Sequence, residues 1–296
     1  MGEILFNIIG CGYIGKKVAS QLQQLHQRVQ CFVASDASLE ACKTQNLNAR
    51  QFDLDEPGLA LSEKNIASFN QSVIAYFAPP PRNGLADTRM ENFLAALNQQ
   101  QLRPQKIVLI STTGIYGDCH GEWIDETRAV NPQADRAHRR LSAEQQLQAY
   151  CREHKIDCII FRVPGIYAVD KLPIKRITSG EPIVRAEDSG YTNRIHADDL
   201  TAFCVEALTA PVASGVYNCC DGHPSTMNDY FMRVAEVMSL PRPVEISLQQ
   251  AQQELSAGML SYLAESKRIS SKKLCEHFKT AFKYPDLTAG LKEKSK

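Results

Sequence analysis

Three glycines near the amino end hold the clearest chemical signal in the chain: Gly10-Cys11-Gly12-Tyr13-Ile14-Gly15. They follow the apolar run Ile4-Leu5-Phe6-Asn7-Ile8-Ile9 and open a helix-like stretch, 16–25. In such a loop the first glycine permits a tight turn. The second leaves room for a pyrophosphate, and the third lets helix and strand pack closely. A helix start adds free backbone N–H groups, here around Tyr13 and Ile14, and a partial positive charge. The chemistry implied is dinucleotide binding; the plainer alternative is a small-residue turn that only eases packing.

The second strand normally selects between dinucleotides. It ends Phe32-Val33-Ala34-Ser35-Asp36. A carboxylate there accepts from both ribose hydroxyls and favours NAD, whereas a hydroxyl or basic residue accommodates the extra phosphate of NADP. Val33 or Ala34 occupies the carboxylate position. Ser35 can donate to a phosphate, and Asp36 reads as a cap for the next helix. The cofactor expected is therefore NAD(P), tilted slightly toward NADP. Asp53-Leu54 either reaches the adenine amino group or forms a turn. Ala78-Pro79-Pro80-Pro81 ends the fourth strand, so the chain must leave the sheet beside the cofactor.

The elements needed to position these residues alternate regularly. Strands are predicted at 4–9, 29–34, 49–52, 72–77, 106–111 and 157–162, and helices at 14–25, 38–45, 63–69, 87–99 and 134–154. Strand–helix alternation implies an α/β fold: a Rossmann-type, doubly wound parallel sheet covered on both faces. After Arg162 the rhythm breaks, and 164–194 is rich in Pro, Gly and charge. Helices follow at 198–208, 226–238, 248–263 and 271–280, with a strand at 215–219. The predicted organisation is a dinucleotide-binding domain over 1–165 and a smaller α+β substrate lobe over 166–296, its boundary interleaved.

Composition narrows the classes. The 296 residues carry 33 basic and 33 acidic side chains, so no charge excess draws the chain onto nucleic acid or an anionic membrane. No apolar run is long enough to span a bilayer. The first strand begins almost at once, leaving no room for a signal peptide. Ten cysteines lie scattered without a CxxC, which suits reduced thiols in a cytoplasm, and no cluster of metal ligands is present.

Several further motifs occur in order. Ile110-Ser111-Thr112-Thr113-Gly114-Ile115-Tyr116-Gly117-Asp118 ends the fifth strand. Glu126-Thr127 precedes Pro132, and Arg162-Val163-Pro164-Gly165-Ile166-Tyr167 closes the sixth strand. Then come Ile195-His196-Ala197-Asp198-Asp199-Leu200, Gly215-Val216-Tyr217-Asn218 and Ser270-Ser271-Lys272-Lys273-Leu274. With the glycine loop, this series resembles the extended short-chain dehydrogenase/reductases, the NAD-dependent epimerase/dehydratase family, over nearly the whole chain. The resemblance implies that Pro164 and Ile166 lie under the nicotinamide and that Thr112 orients a substrate oxygen. It also implies a Tyr-x-x-x-Lys pair, the Tyr as general acid/base. Alignment on Leu141-x-x-Glu144 places Arg136 on that Tyr and Arg140 on that Lys.

Arginine cannot exchange a proton near neutrality, so the chain resembles the atypical members that keep the fold and lose the usual active site. Arg136 and Arg140 lie one helical turn apart and could clamp a carboxylate or phosphate; alternatively they form a solvated face with Arg140 paired to Glu144. Tyr116 and Tyr167 are candidate substitute acids or packing residues. Relatives acting on nucleotide sugars often carry an Arg four residues before the His of the His196 motif. Thr192 stands there, with Arg194 two residues later, which weighs against a nucleotide sugar.

Two functions follow. One is an NAD(P)-dependent oxidoreductase or epimerase-like enzyme moving hydride to or from a small carbonyl or alcohol. The other is an inactive NAD(P)-binding redox sensor. The helices at 87–99 and 134–154 could also pair two copies into a homodimer, or be covered within one chain.

Overall fold

The computed structural model describes residues 4–56, 59 and 61–292. Its first half alternates as the apolar periodicity requires: β1 (Leu5–Ile9), α1 (Tyr13–Gln24), β2 (Arg28–Val33), α2 (Asp36–Lys43), β3 (Ala49–Gln51), α3 (Glu63–Phe69), β4 (Val73–Tyr76), α4 (Thr88–Gln99) and β5 (Lys106–Thr112). A short β6 (Trp123–Ile124) precedes α5 (Asp135–His154) and β7 (Asp157–Val163). Element ends differ from the sequence expectation by one or two residues, as capping decides them. Ser35, for example, caps α2 by accepting from Ser38 N at 3.3 Å, so Asp36 lies inside the first turn and is not the cap.

The remainder is built of short pieces: β8 (Gly165–Tyr167), α6 (Ile174–Thr178), β9 (Ile183–Val184), β10 (Tyr191–Thr192), β11 (Arg194–His196), α7 (Ala197–Thr209), β12 (Gly215–Asn218), β13 (Ser225–Thr226) and α8 (Met227–Val237). Then follow β14 (Glu245–Ile246), α9 (Leu248–Glu254), α10 (Ala257–Leu263), β15 (Arg268–Ile269), α11 (Lys272–His277) and α12 (Leu287–Leu291). The single helical stretch expected over 248–263 is two helices. Ser256 breaks it by accepting from Met259 N, which caps α10.

Seven parallel strands form the main sheet in the order β12-β7-β5-β4-β1-β2-β3. β12 lies well past residue 165 and still pairs with β7, register Tyr217 to Phe161. Position 165 therefore marks where the chain first leaves the sheet, not where the sheet ends. Strand order reverses at β1 and β4, which opens a crevice beyond their carboxyl ends.

Alternation along each strand feeds two cores. Ile8, Val108 and Phe161 pack with Val18 and Leu22 of α1 and with Leu200, Phe203 and Cys204 of α7. Their neighbours Ile9, Leu109 and Ile160 face the other way, against Phe93 and Leu97 of α4 and Leu147 of α5. Full burial of each such side chain contributes roughly 1.5–3 kcal/mol. The apolar faces of α4 and α5 are thus covered within one chain. The later segments form two-stranded ladders (β8·β11, β9·β14, β10·β13 and β6·β15) and a smaller core around Tyr167, Phe231 and Leu287. Among the described residues no helix is long and apolar enough to cross a membrane.

Candidate functional site

The glycine loop divides its three tasks cleanly. Gly10 takes φ 83°, and a Cβ there would stand 2.3 Å from Ala78 N and 2.5 Å from Ala78 Cα. This residue lets the end of β1 lie against the end of β4, with Ala78 itself buried. A Cβ on Gly15 would meet Gly10 O at 3.0 Å and Ile8 Cγ2 at 3.3 Å, so Gly15 seats α1 on its strand. A Cβ on Gly12 would meet only Gly10 O, at 3.9 Å. The space over Gly12 is thus open, beside a helix start with no side-chain cap and no acidic residue in its first turn. An open approach to uncapped amides fits a pyrophosphate. Ile14 is core, while Tyr13 donates to Asp170 Oδ1 at 2.6 Å and ties the loop to the chain after β8.

The other expected cofactor contacts are more mixed. The Ser35 hydroxyl both caps α2 and bonds Ser38 Oγ, and Ala34 O accepts from Gln51 Nε2. Asp53 Oδ1 accepts from Asp55 N, the turn alternative, and Leu54 packs in the core. Ala78 O accepts from Arg140 Nη1 at 3.1 Å, and Pro79 O from Arg89 Nη1 at 2.9 Å. Pro164 and Ile166 line the neighbouring cavity.

That cavity, of about 580 Å³, brings Thr112, Arg136 and Arg140 together with β8 and with the second lobe. Thr112 Oγ1 accepts from Gly114 N at 3.2 Å, which leaves its proton available to a ligand oxygen. Arg136 donates to Ser261 Oγ at 2.8 Å and stacks on Tyr262, 4.1 Å from the ring centre. The pairing of Arg140 with Glu144 does not occur: Glu144 is held by Arg162 at 2.9 Å, both buried, and Arg140 turns to Ala78. Burial lowers both Arg140 and Arg194 from the ordinary arginine value.

Tyr116 is not a substitute acid of this cavity. It is 1% exposed, donates to Asn218 Oδ1 at 2.8 Å and accepts from Arg162 Nη1 at 2.9 Å. Burial pushes its phenol up to about 12, despite the adjacent guanidinium. It belongs to the mount behind α5, with Glu126 accepting from Asn218 N on the same network. Tyr167 touches the cavity but spends its hydroxyl on Asp286 O. His196 caps α7, its Nδ1 accepting from Asp198 N, while Asp199 accepts from Lys283 N and Tyr284 N and pins the tail.

Residues outside the predicted site complete the walls: Arg194, Lys267, Glu265, Tyr230 and Tyr262. Only Arg194 had a signal, since Thr192 and Arg194 are two apart on extended chain and share a side. They touch, Arg194 Nη1 donating to Thr192 Oγ1 at 2.7 Å. The others come from loops whose position no local pattern records.

A parallel sheet with a glycine turn at the point where strand order reverses defines a Rossmann-type dinucleotide-binding protein. The chain belongs to the NAD dependent epimerase/dehydratase family, whose model matches residues 8–220. A conserved protein of unknown function from Silicibacter pomeroyi is 25% identical, covers 98% of each chain and superposes with a TM-score of 0.82. UDP-glucuronic acid 4-epimerase from Bacillus cereus, solved with NAD, is 15% identical over 97% of this chain and 96% of its own, at 0.71. dTDP-glucose 4,6-dehydratase from Bacillus anthracis, also with NAD, is 16% identical over 98% and 94%, at 0.75. The last two likenesses bear on the fold alone. Among curated proteins nothing matches.

Proposed function

We propose that the protein is an NAD(P)-dependent oxidoreductase or epimerase-like enzyme acting on a small carbonyl or alcohol substrate. The observation that carries this reading is the open Gly12 cradle on one side and, on the other, a cavity that joins Thr112 to Arg136 and Arg140. When bound, a nicotinamide dinucleotide supplies or accepts the hydride. Gly12 and the first turn of α1 hold its phosphates, and Pro164 and Ile166 flank the reacting end. Thr112 donates to the substrate oxygen and orients it. Arg140, fixed on Ala78 O beside the glycine loop, holds the ribose side of the site. In this reading Arg136 and Arg140 stand where the family carries its Tyr and Lys. Val33 and Ala34 offer no carboxylate to a ribose, which supports NADP over NAD.

Calorimetric titration with NADP, NADPH, NAD and NADH, then a turnover screen on carbonyls and alcohols with the preferred form, tests the proposal. Saturable binding that Gly12→Val abolishes, together with turnover, is the expected result. Binding without turnover assigns the protein to the sensor reading that the Arg136 substitution favours. No binding of any dinucleotide overturns both.

A further inference from the structure

Arg194 is only 6% exposed, yet it lines the cavity. Its Nη1 donates to Thr192 Oγ1, its Nη2 to Met227 Sδ at 3.8 Å, and its plane lies 4.1 Å from the Tyr230 ring centre. Arg136, from α5, is held in the same manner: one hydroxyl acceptor, Ser261, and one stacked tyrosine, Tyr262. None of these acceptors is charged. Among the described residues no carboxylate pairs with Arg136, Arg140 or Arg194. Glu265, the one carboxylate on the wall, is bound by Lys267. Asp229 is taken by Arg233, and Asp221 accepts from His223 N, so both act on Arg194 only through space.

A guanidinium has five N–H donors, and each of these two arginines uses one or two. Charge withdrawn from water without a counter-ion is costly. Stacking on a ring face fixes the plane of the guanidinium while its edge stays free for two parallel bonds to an oxyanion. Apolar and aromatic side chains, including Met227, Tyr230, Met259 and Tyr262, make up much of the rest of the wall, beside the polar Thr112, Asn193, Glu265 and Lys267. A ligand here is thus asked for negative charge at the guanidinium edges and for apolar surface against the rings and methionines.

We propose that this cavity takes a substrate with a compact oxyanion, carboxylate or phosphate, on an apolar or aromatic body, and that Arg136 and Arg194 receive the oxyanion. The inference rests on the cavity being the substrate site, and it gives that substrate its chemical class. Arg140 is left to the dinucleotide side.

Matched ligands that differ in charge provide the test. Phenylpyruvate, its neutral methyl ester and phenyl phosphate are titrated into the whole protein by calorimetry, with and without saturating NADP. One anion binding roughly tenfold or more tighter than the ester is the expected result, since charge-assisted bonds of this kind are worth that factor. The stronger of the two acids shows whether the head group is carboxylate or phosphate. Arg136→Gln and Arg194→Gln should each erase the preference while dinucleotide affinity stays within about twofold, as neither touches the glycine loop. Equal binding of acid and ester, or no binding of either acid, overturns the proposal. Melting of the ligand-free variants supplies a second reading. Arg194→Gln should melt no lower than the parent, because it removes a buried charge that has no counter-ion. A clear drop would make Arg194 a structural strut and overturn its role here. In Gly12→Val the anion preference should persist, so loss of the dinucleotide reading and loss of this one are separately visible.

Discussion

The glycine loop after β1 and the first two turns of α5 use different parts of the polypeptide. The loop works through backbone: Gly10 by its φ, Gly15 by its missing Cβ, Gly12 by the space above it. These turns of α5 work through side chains, Arg136 and Arg140, which reach to Ser261 and Ala78 from far along the chain. A site made of backbone can be read wherever glycine spacing is read, because few residues allow that geometry. A site made of long side chains depends on what distant segments bring to meet them. That is why the turn at Gly10, the open space at Gly12 and the packing at Gly15 were legible and the arginine partners were not.

The sharpest test of this contrast is within the loop. Gly10→Ala forces a Cβ into the Ala78 backbone at a strained φ and should cost about 3 kcal/mol or more in urea unfolding. Gly12→Ala meets nothing closer than 3.9 Å and should cost about 1 kcal/mol at most, while weakening dinucleotide binding. Equal losses would break the division of labour between the two glycines.

On the α5 side, Glu144→Gln leaves the buried Arg162 guanidinium without its counter-ion. A loss of about 3 kcal/mol is expected by chemical denaturation, with dinucleotide affinity retained. Loss of affinity without loss of stability would place Glu144 in the site instead of behind it.

A smaller effect depends on pH. Burial raises the Asp221 carboxyl to about 7. Between about pH 4, its unfolded value, and pH 7 the native state binds the extra proton, so stability from this group falls as pH rises through that window. The penalty is complete above pH 7. Asp221→Asn, which keeps an acceptor for His223 N, should therefore gain roughly 2 kcal/mol at pH 8 and nothing at pH 4, read from melting at both values.

The sheet was readable because its strands are buried on both faces and its helices carry one apolar side: Ile8 and Ile9, or Ile160 and Phe161, point to opposite cores. In the second lobe the helices at 197–209 and 227–237 were readable too, but the ladders were not, since they are two or three residues long and no period can be seen in so few. β12 reads as a strand, but sequence order does not record that it returns to β7. Tyr116 follows Thr112 closely in sequence, and that nearness alone suggests chemistry. The 3₁₀ turn at Thr113–Tyr116 instead carries it to Arg162 and Asn218, on the network that holds α5.

The bond between Glu144 and Arg162 has a consequence for how this protein could change. It lies two helical turns beyond Arg136 and fastens α5 to β7 from below. The start of α5 is therefore a socket whose fittings, Arg136 and Arg140, lie apart from its fastening. Under the function proposed above, residues 136 and 140 could be exchanged, and with them the reactivity, while the bond to β7 keeps the helix in place. A helix secured from its middle can have its end refitted.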